Sequence, residues 1–520
     1  MKKKFLSLLL ASALALTGCA TETGSSARSE TSTETKTQDD NKKVTVVFSF
    51  KSKDLDPHNI YTPLRTGITE TLLKLDENLN LQGWLAEKWE AKDATTWVFT
   101  IRDGITFQDG TKLDATAVKA SFERGIADSK TLAKALKIAS MQADGQTLTI
   151  KTKEPNPALP SELVSPYASV ISVAAEKKMG KEAFNHAPVG TGPFKVKQFT
   201  PDIEVQLERY DGYWAGKPKL KEAIVKFNED ATVRTLSLQS KEADIVYNIP
   251  AESIDAVKKS GEFQVESIPG LRVHFILYNQ HKPLMQNPKV RMALNALLNR
   301  ESIAKDVMLG NASPANGPFS SRLPFASKAS VEKLDVAKAK ALLEEAGFQA
   351  GADGKLVKDG KPLTLELITY KARRELPLIA QLLQSDAAKA GVTVTIKNVE
   401  NVDDYLKENK DWDMVTYSNQ TAPRGDGSYF LNTAFMPEGS LNAGGINIPS
   451  LNDIVKKLNA TSDADERVKL TQDAVAVINQ AIPHSYAVYP NLIVGFNKRV
   501  IGFKPGAEEF YILTHALDVK

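Results

Sequence analysis

Short strands and amphipathic helices alternate along the chain from residue 44. The segments VTVVFSF (44–50), TTWVFTIR (95–102) and QTLTIKTK (146–153) are rich in β-branched or alternating apolar residues, which predicts strands. Between the last two, DATAVKASFERGI (114–126) has apolar residues at helical spacing behind Asp114, a residue type that caps helix N-termini. The pattern therefore predicts a mixed α/β body.

The second half of the chain continues this mixture. NPKVRMALNALLNRESIAKDVML (287–309) predicts one or two helices that end at Gly310, and DVAKAKALLEEAGF (335–348) predicts a helix capped by Asp335. LTLELITY, PLIAQLLQSDAAKAGV and TVTIKNV follow one another within residues 363–399. Strand, helix and strand in this order predict a β-α-β unit, which is typical of sheets layered with helices.

The first residues, MKKKFLSLLLASALALTGCA, have the pattern of an export signal. A lysine cluster precedes an apolar run over residues 5–16, which is shorter than the roughly 20 residues of a membrane-spanning helix. Leu-Thr-Gly followed by Cys19 resembles the lipobox of bacterial lipoproteins, which implies cleavage before Cys19 and its lipidation. Because Cys19 is the only cysteine, an intrachain disulfide and a thiolate metal cluster are excluded.

Charge and composition separate this leader from the body. Residues 1–18 hold three lysines and no acidic residue, so the rest of the chain carries 63 basic and 63 acidic side chains. A neutral body offers no general basic field for nucleic acid. The segment over residues 20–43 is made of small and charged residues without a large apolar one, which predicts a disordered tether.

No flexible linker interrupts residues 44–520, although a chain of this length predicts two to three domains. We therefore expect lobes that are joined by several crossing strands, with a ligand in the cleft between them.

Several segments in succession resemble the extracellular solute-binding proteins of family 5, which serve peptide and nickel ATP-binding-cassette (ABC) importers. The resemblance implies a bilobal periplasmic-binding-protein fold of type II (cluster C) with an extra inserted subdomain. The segments that carry it are LAEKWEAKDATTWVFTIRDGITFQDGTKLDATAVKASFER (85–124), VGTGPFKV (189–196), RYDGYWAGKPKL (209–220), KVRMALNALLNRESI (289–303), KAKALLEEAGF (338–348) and GDGSYFLNTAF (425–435). The expected parts are a signal peptide (1–18), the lipidated cysteine and tether (19–43), lobe I (44–70, 189–267 and 485–520), its inserted subdomain (71–188) and lobe II (268–484).

The resemblance bears on the ligand through the segment TAPRGDGSYFL (421–431). Peptide-binding members hold the peptide amine with an Asp just before the stretch GDGSYFLN, at the position of Pro423 here. The neighbouring Arg424 suits a carboxylate instead, because its planar fork binds two oxygens. Asp426 is a further ligand-binding candidate, or it shapes the turn before Tyr429. A nickel (or related transition-metal) chelate is therefore the expected ligand, with an oligopeptide or dipeptide as the alternative.

Nickel-type members add histidine to this set, and imidazole suits Ni(II). His58, in DLDPHNIYTP (54–63), and His484, in NQAIPHSYAVYP (479–490), are the candidate metal ligands. Each has an alternative: His58 as a turn residue bonded to the backbone, and His484 as a hydrogen-bonded histidine at a strand start. Tyr61 and Tyr417 are candidates to contact the chelate.

The sequence lacks the common signatures of enzymes. It contains no G-x-S-x-G elbow, no H-E-x-x-H helix and no phosphate-binding P-loop. We expect a monomeric receptor without a cofactor that delivers its ligand to an ABC permease and its ATPase subunits. It is expected outside the cytoplasm, anchored to the membrane by lipid. The sequence does not specify the metal, the chelator or the permease.

Overall fold

The computed structural model describes residues 42–520. The predicted signal peptide, Cys19 and all but the last two residues of the predicted tether lie outside the described residues. Those two do not belong to a free tether, because Lys43 begins the first strand and Lys42 pairs with Asp518 at 2.9 Å. Within residues 42–520 no helix is both long and apolar enough to cross a membrane.

Strands occur along the whole described chain. They are β1 (Lys43–Phe48), β2 (Leu73–Leu75), β3 (Leu81–Gly83), β4 (Ala86–Ala91), β5 (Thr96–Ile101), β6 (Ile138–Asp144), β7 (Thr147–Thr152), β8 (Phe194–Thr200), β9 (Glu204–Arg209), β10 (Glu222–Phe227), β11 (Ile245–Tyr247), β12 (Phe263–Pro269), β13 (Arg272–Tyr278), β14 (Ala312–Pro314), β15 (Gln349–Ala350), β16 (Leu356–Lys358), β17 (Lys361–Pro362), β18 (Thr364–Tyr370), β19 (Thr393–Val399), β20 (Met414–Gln420), β21 (His484–Asn497), β22 (Val500–Ile501) and β23 (Asp518–Val519).

Helices connect these strands. They are α1 (Thr62–Arg65), α2 (Ala115–Asp128), α3 (Lys130–Leu136), α4 (Leu159–Glu162), α5 (Val173–Met179), α6 (Lys181–His186), α7 (Ala231–Gln239), α8 (Ile254–Lys259), α9 (Pro283–Gln286), α10 (Pro288–Ala296), α11 (Arg300–Ser302), α12 (Val336–Glu345), α13 (Glu375–Lys389), α14 (Val402–Glu408), α15 (Ser428–Phe435), α16 (Pro449–Ala460) and α17 (Ala464–Ala481). Short 3₁₀ turns lie at Pro166–Ala168 and Ala251–Ser253, and a π-helical turn lies at Ile303–Val307.

A 12-stranded sheet organises the body, in the order β19-β18-β20-β13-β21-β11-β1-β10-β9-β8, with β12 and β14 also paired to β21. The long strand β21 lies in the middle of this order and joins the two halves of the sheet. Its first residues pair with β13 and β14, and its later residues pair with β11 and β12. A separate four-stranded sheet, β4-β5-β7-β6, lies within residues 86–152. These strand sets fall in the ranges predicted for lobes I and II and the inserted subdomain, whose boundaries stay a prediction.

Several predicted elements are confirmed. Asp114 caps α2 by accepting a hydrogen bond from the Ala117 amide at 2.9 Å, and Asp335 caps α12 through the Lys338 amide at 2.8 Å. The β-α-β unit over residues 363–399 is β18, α13 and β19, with β18 and β19 parallel. The sequence predicts these elements because the capping residue and the spacing of apolar residues that define each one lie within a few positions of each other.

The segment 287–309 forms two helical pieces, in agreement with the predicted one or two helices, although the second ends at Val307 rather than at Gly310. Helix α10 ends at Ala296, and Asn299 begins a new turn by capping the Ser302 amide at 3.1 Å before the π-helical turn. Tertiary contacts hold the break: the buried Arg300 donates hydrogen bonds to the carbonyls of Tyr486 at 2.7 Å and Asn295 at 3.2 Å.

Candidate functional site

Three segments far apart in sequence meet around Arg424. We call Tyr61, Glu162, Tyr167, Arg424 and Tyr429 the Arg424 cluster. Arg424 forms a buried ion pair with Glu162 at the end of α4, and its guanidinium lies 5.0 Å from the centre of the Tyr429 ring. The rings of Tyr61 and Tyr167 are 4.8 Å apart, and burial raises the pKa of Tyr167 to about 12.

The chain turns sharply after Arg424. Gly425 has a φ of +72°, and a Cβ there would lie 2.6 Å from the Leu79 carbonyl oxygen, so the position requires glycine. Asp426 accepts a hydrogen bond from the Ser428 amide at 2.7 Å and pairs with Arg467, also at 2.7 Å. Both contacts fit the alternative role of Asp426, in which it shapes the turn before Tyr429 rather than binding a ligand.

The charge of Arg424 is already balanced. Burial disfavours the charged guanidinium, but the adjacent Glu162 carboxylate outweighs it and raises the pKa of Arg424 above its usual value. In this structure the Glu162 carboxylate therefore lies where Arg424 was predicted to bind a carboxylate of the ligand. The roles of Tyr61, Arg424 and Asp426 in binding stay predictions.

His58 lies in a buried network rather than on an open surface. Its Nε2 is 3.0 Å from the Ser169 carbonyl oxygen, and its Nδ1 is 3.1 Å from Nη1 of Arg124. Arg124 in turn pairs with Asp56 at 2.6 Å and Glu176 at 2.7 Å. Burial, aided by the charge of Arg124, lowers the pKa of His58 to about 4, so the ring is neutral at neutral pH. Both ring nitrogens are engaged.

His484 is also buried, but neither of its ring nitrogens has a hydrogen-bond partner. The ring lies 4.8 Å from that of Phe275 and 5.1 Å from that of Phe435, centre to centre, and it lines a cavity of about 360 Å³. Burial alone lowers the pKa of His484 to about 3. Tyr417 lines the same cavity, and its hydroxyl donates a hydrogen bond to Asp403.

The structure brings some of the predicted residues together and separates others. Tyr61 and Arg424 share one cluster, and Tyr417 and His484 share one cavity. His58 and His484 have no hydrogen-bond or ring partner in common among the contacts of residues 42–520. Within the same residues, no three His, Cys, Asp or Glu side chains form a group that would hold a metal ion. The metal-binding roles of His58 and His484 stay predictions.

Sequence reasoning missed a second arginine, at the start of β13. Arg272 donates a hydrogen bond to the Ser418 hydroxyl at 3.2 Å and forms no ion pair within residues 42–520. Burial lowers the pKa of Arg272 to about 10, and the nearby charge of Arg373 acts in the same direction. A partly buried guanidinium without an ion pair is the kind of group that binds an incoming anion.

An acid from the last part of the chain lies beside this arginine. Arg272 pairs in register with Gln420 on β20, and the Gln420 amide donates to the Glu509 carboxylate at 2.9 Å. Glu509 also interacts electrostatically with Arg272. We call Arg272, Arg373, Gln420 and Glu509 the Arg272 cluster. Its positive and negative groups together complement a zwitterion that carries a carboxylate and an ammonium group.

The two clusters are linked through Arg65. Its guanidinium lies 5.3 Å from the centre of the Tyr61 ring, and its Nε donates to the Glu509 carbonyl at 2.9 Å. The only local signal for Arg272 was its place at the start of the strand LRVHFILYN, just after Pro269 and Gly270. Glu509 lies 237 positions after Arg272 and belongs to no motif, so the sequence does not predict that these two side chains lie near each other.

Comparison with known proteins gives consistent matches. The model of the bacterial extracellular solute-binding proteins, family 5 (middle region), matches residues 80–442. The nickel-binding protein NikA of Staphylococcus aureus is 32% identical over 520 residues, which is 100% of both chains. This confirms the predicted family resemblance.

Solved structures confirm the predicted fold class. A nickel ABC transporter structure from Bacillus halodurans is 42% identical, with a TM-score of 0.80 over 92% of this chain and 100% of that one. A structure of Staphylococcus aureus NikA in complex with Ni(L-His)2 is 32% identical, with a TM-score of 0.79 over 92% of this chain and 100% of that one.

Proposed function

Because the chain belongs to the bacterial extracellular solute-binding proteins of family 5, we propose that its ligand is a nickel complex of an amino-acid chelator. The protein is an extracytoplasmic substrate-binding protein that works with an ABC permease and its ATPase subunits. It captures the complex between its lobes and delivers it to the permease. The nickel ion is cargo, and the chelator's carboxylate and amine are what the protein recognises.

The observation that carries this proposal is the unpaired guanidinium of Arg272. Most of the buried arginines are satisfied: Arg124 by Asp56 and Glu176, and Arg467 by Asp426. Arg272 instead donates to one neutral hydroxyl, and its guanidinium lies near the charges of Arg373, Glu509 and Glu375 without forming an ion pair among residues 42–520. A carboxylate placed there would gain a charge-assisted, two-pronged contact with a guanidinium that has no ion-pair partner among residues 42–520.

Glu509 and Gln420 supply the other half of the recognition. A carboxylate beside the guanidinium favours a ligand that also carries a positive group or a metal-bound amine, as an amino acid does. The tyrosines of the Arg424 cluster provide ring faces on the far side of Arg65. Tyr61, Tyr417, Arg424 and Asp426 remain proposed ligand-binding residues. The lobes are proposed to close by bending, as bilobal receptors do.

The test is a binding titration of the purified chain with nickel plus L-histidine, with nickel alone and with a peptide pool. We expect tight binding only for nickel plus L-histidine, and a loss of affinity of about 10- to 100-fold for Arg272→Ala, from the 1.5–3 kcal/mol of a charged hydrogen bond. Arg374→Ala is the matched control, because Arg374 is exposed and only pairs with Glu252 at 3.3 Å.

Two results would contradict the proposal. Equal affinity of Arg272→Ala and the unchanged chain would remove Arg272 from the site. Binding of the peptide pool, with no metal in the ligand that co-purifies from cells, would establish the peptide alternative. His58→Ala and His484→Ala in the same titration test the two predicted metal ligands.

The anchor, the monomeric state and the absence of catalysis complete the proposal. Lipidation at Cys19 would hold the body at the outer face of the membrane, since two or three acyl chains make a stable anchor. Replacing Cys19 with Ser should release the protein into the medium or the periplasm, which fractionation of cells measures. Retention of the Cys19→Ser variant at the membrane would contradict the lipid anchor.

A further inference from the structure

The cavity beside β13 and β20 lies apart from the contacts of Arg272 that carry the proposed function. It measures about 360 Å³, which lies in the lower part of the range of small-molecule sites, about 300–1,000 Å³. Apolar side chains form much of its wall, among them Phe275, Leu277, Leu406 and Phe430. We call it the His484 cavity.

The imidazole of His484 is the feature of this cavity that points to a ligand. It is 3% exposed, and both of its nitrogens are buried without a hydrogen-bond partner. Burial keeps the ring neutral, so it presents one donor and one acceptor. Buried polar groups in proteins are nearly always paired, so two unpaired nitrogens beside an open volume indicate a missing partner.

The ring is also placed for aromatic contact. Phe275 and Phe435 lie 4.8 and 5.1 Å from it, centre to centre, and Phe275 itself lines the cavity. These distances are those of stacked and tilted aromatic pairs. An aromatic ring that enters the cavity therefore meets further rings on its wall.

The rim of the cavity carries charge. Lys407 and Lys410 line it, and so does Asp403. Asp403 already accepts a hydrogen bond from the Tyr417 hydroxyl, and exposed Lys407 lies 3.2 Å from Asp404 outside the lining. Lys410 donates only to the Leu406 carbonyl, at 3.1 Å. The rim therefore offers ammonium groups to a negatively charged ligand.

The His484 cavity and the Arg272 cluster lie on opposite sides of the sheet. Arg272 pairs with Gln420, and Phe275, three positions further along β13, pairs with Tyr417. Because side chains alternate between the two faces of a strand, an odd separation puts Arg272 and Phe275 on different faces. Arg272 therefore does not belong to the face of β13 that lines the cavity.

From these observations we propose that the His484 cavity is a second binding site, for a small aromatic carboxylic acid with a hydroxyl group on its ring. The ring lies against Phe275 and Phe430, the hydroxyl meets the imidazole of His484, and the carboxylate lies at the rim near Lys407 and Lys410.

The probe is 4-hydroxyphenylacetate, titrated by calorimetry into the full-length chain. We expect saturable binding that weakens at least fivefold for phenylacetate, which lacks the hydroxyl, and at least tenfold in His484→Phe, which fills a similar volume without nitrogens. Lys407→Ala combined with Lys410→Ala should weaken it severalfold. His281→Phe is the control, because His281 is exposed and does not line the cavity.

Arg272→Ala separates this site from the chelate site, and it should leave the affinity for the probe unchanged. If His484→Phe does not fold, nuclear magnetic resonance of the unchanged chain decides, because the probe should shift the imidazole signals of His484 and not those of His281. Equal binding by His484→Phe, loss of binding in Arg272→Ala, or no binding of the probe at millimolar concentration would overturn the proposal. So would a His484 signal that responds to nickel ions alone and not to the probe.

Discussion

The carboxyl group of Glu70 is completely buried, and replacing it with a neutral amide tests how burial and hydrogen bonding balance there. Three donors surround it: the Tyr213 hydroxyl at 2.6 Å, the Thr191 hydroxyl at 2.8 Å and the Trp214 indole nitrogen at 2.9 Å. Burial raises the pKa of Glu70 to about 7 from an ordinary 4.5, and the three hydrogen bonds offset only part of this effect.

The sign of the pH dependence follows from this raised pKa. The folded protein binds the proton of Glu70 more tightly than the unfolded chain does. Glu70 therefore contributes stability below about pH 4.5, and this contribution is lost as the pH rises through 7. At 1.36 kcal/mol per pKa unit, the free energy of unfolding falls by about 3 kcal/mol across this range because of this one group.

Glu70→Gln is neutral at every pH and fits the same three donors. The amide oxygen can take the position that accepts from Thr191 and Trp214, and the amide nitrogen can donate to the hydroxyl oxygen of Tyr213, which rotates. We expect the variant to exceed the unchanged chain in free energy of unfolding by up to about 3 kcal/mol at pH 8, with the difference vanishing near pH 4.5.

Urea unfolding of both proteins at pH 5, 6, 7 and 8 measures this difference. Glu77→Gln is the control, since the side chain of Glu77 is 84% exposed and its replacement should give no such pH trend. If Glu70→Gln is less stable than the unchanged chain at pH 8, the three hydrogen bonds to the carboxylate outweigh its burial, and the reasoning is wrong.

Three further substitutions test other contacts. Glu162→Ala leaves the buried guanidinium of Arg424 unpaired, so the free energy of unfolding should fall by about 3–5 kcal/mol. Adding Arg424→Ala should restore part of this loss. Additive losses of the two substitutions in chemical denaturation would contradict the coupling. Gly125→Ala puts a Cβ 2.7 Å from Leu132 and 2.9 Å from the ring of His58, so the free energy of unfolding should fall by about 1–3 kcal/mol. An unchanged melting temperature would show that helix α2 moves to make room for the methyl group. Asp114→Ala removes the cap of α2 and should cost about 1 kcal/mol, whereas Asp114→Asn should cost little; equal losses would point to charge rather than to the cap.

The sequence predicted well where the determining contacts are local. Asp114 and Asp335 precede their helices by one residue, and each binds an amide three residues on, so spacing alone located the helix starts. For segment 287–309 the sequence predicts one or two helices without deciding between them, because the break is held by a buried hydrogen bond of Arg300 to the distant carbonyl of Tyr486.

The site was predicted less completely, because its decisive features depend on pairing across the fold. Sequence reasoning selected Arg424 for a carboxylate, and only the structure shows Glu162, 262 positions earlier, beside it. It did not select Arg272, whose importance comes from the lack of an ion-pair partner among residues 42–520. Likewise, His58 and His484 read alike in the sequence, but their nitrogens are engaged in one and unpaired in the other.

The 14-residue strand β21 has a consequence for how the protein is made. Strands β11, β12, β13 and β14 all hydrogen-bond to it, yet it is synthesised after them, within the last 37 residues of the chain. Until residues 484–497 emerge, those earlier strands lack a neighbour and the sheet stays open. Such long-range pairing slows folding, and this delay would suit the export that the predicted signal peptide implies. A released chain that ends at residue 483 should therefore stay sensitive to protease, while the chain that includes residues 484–520 becomes resistant.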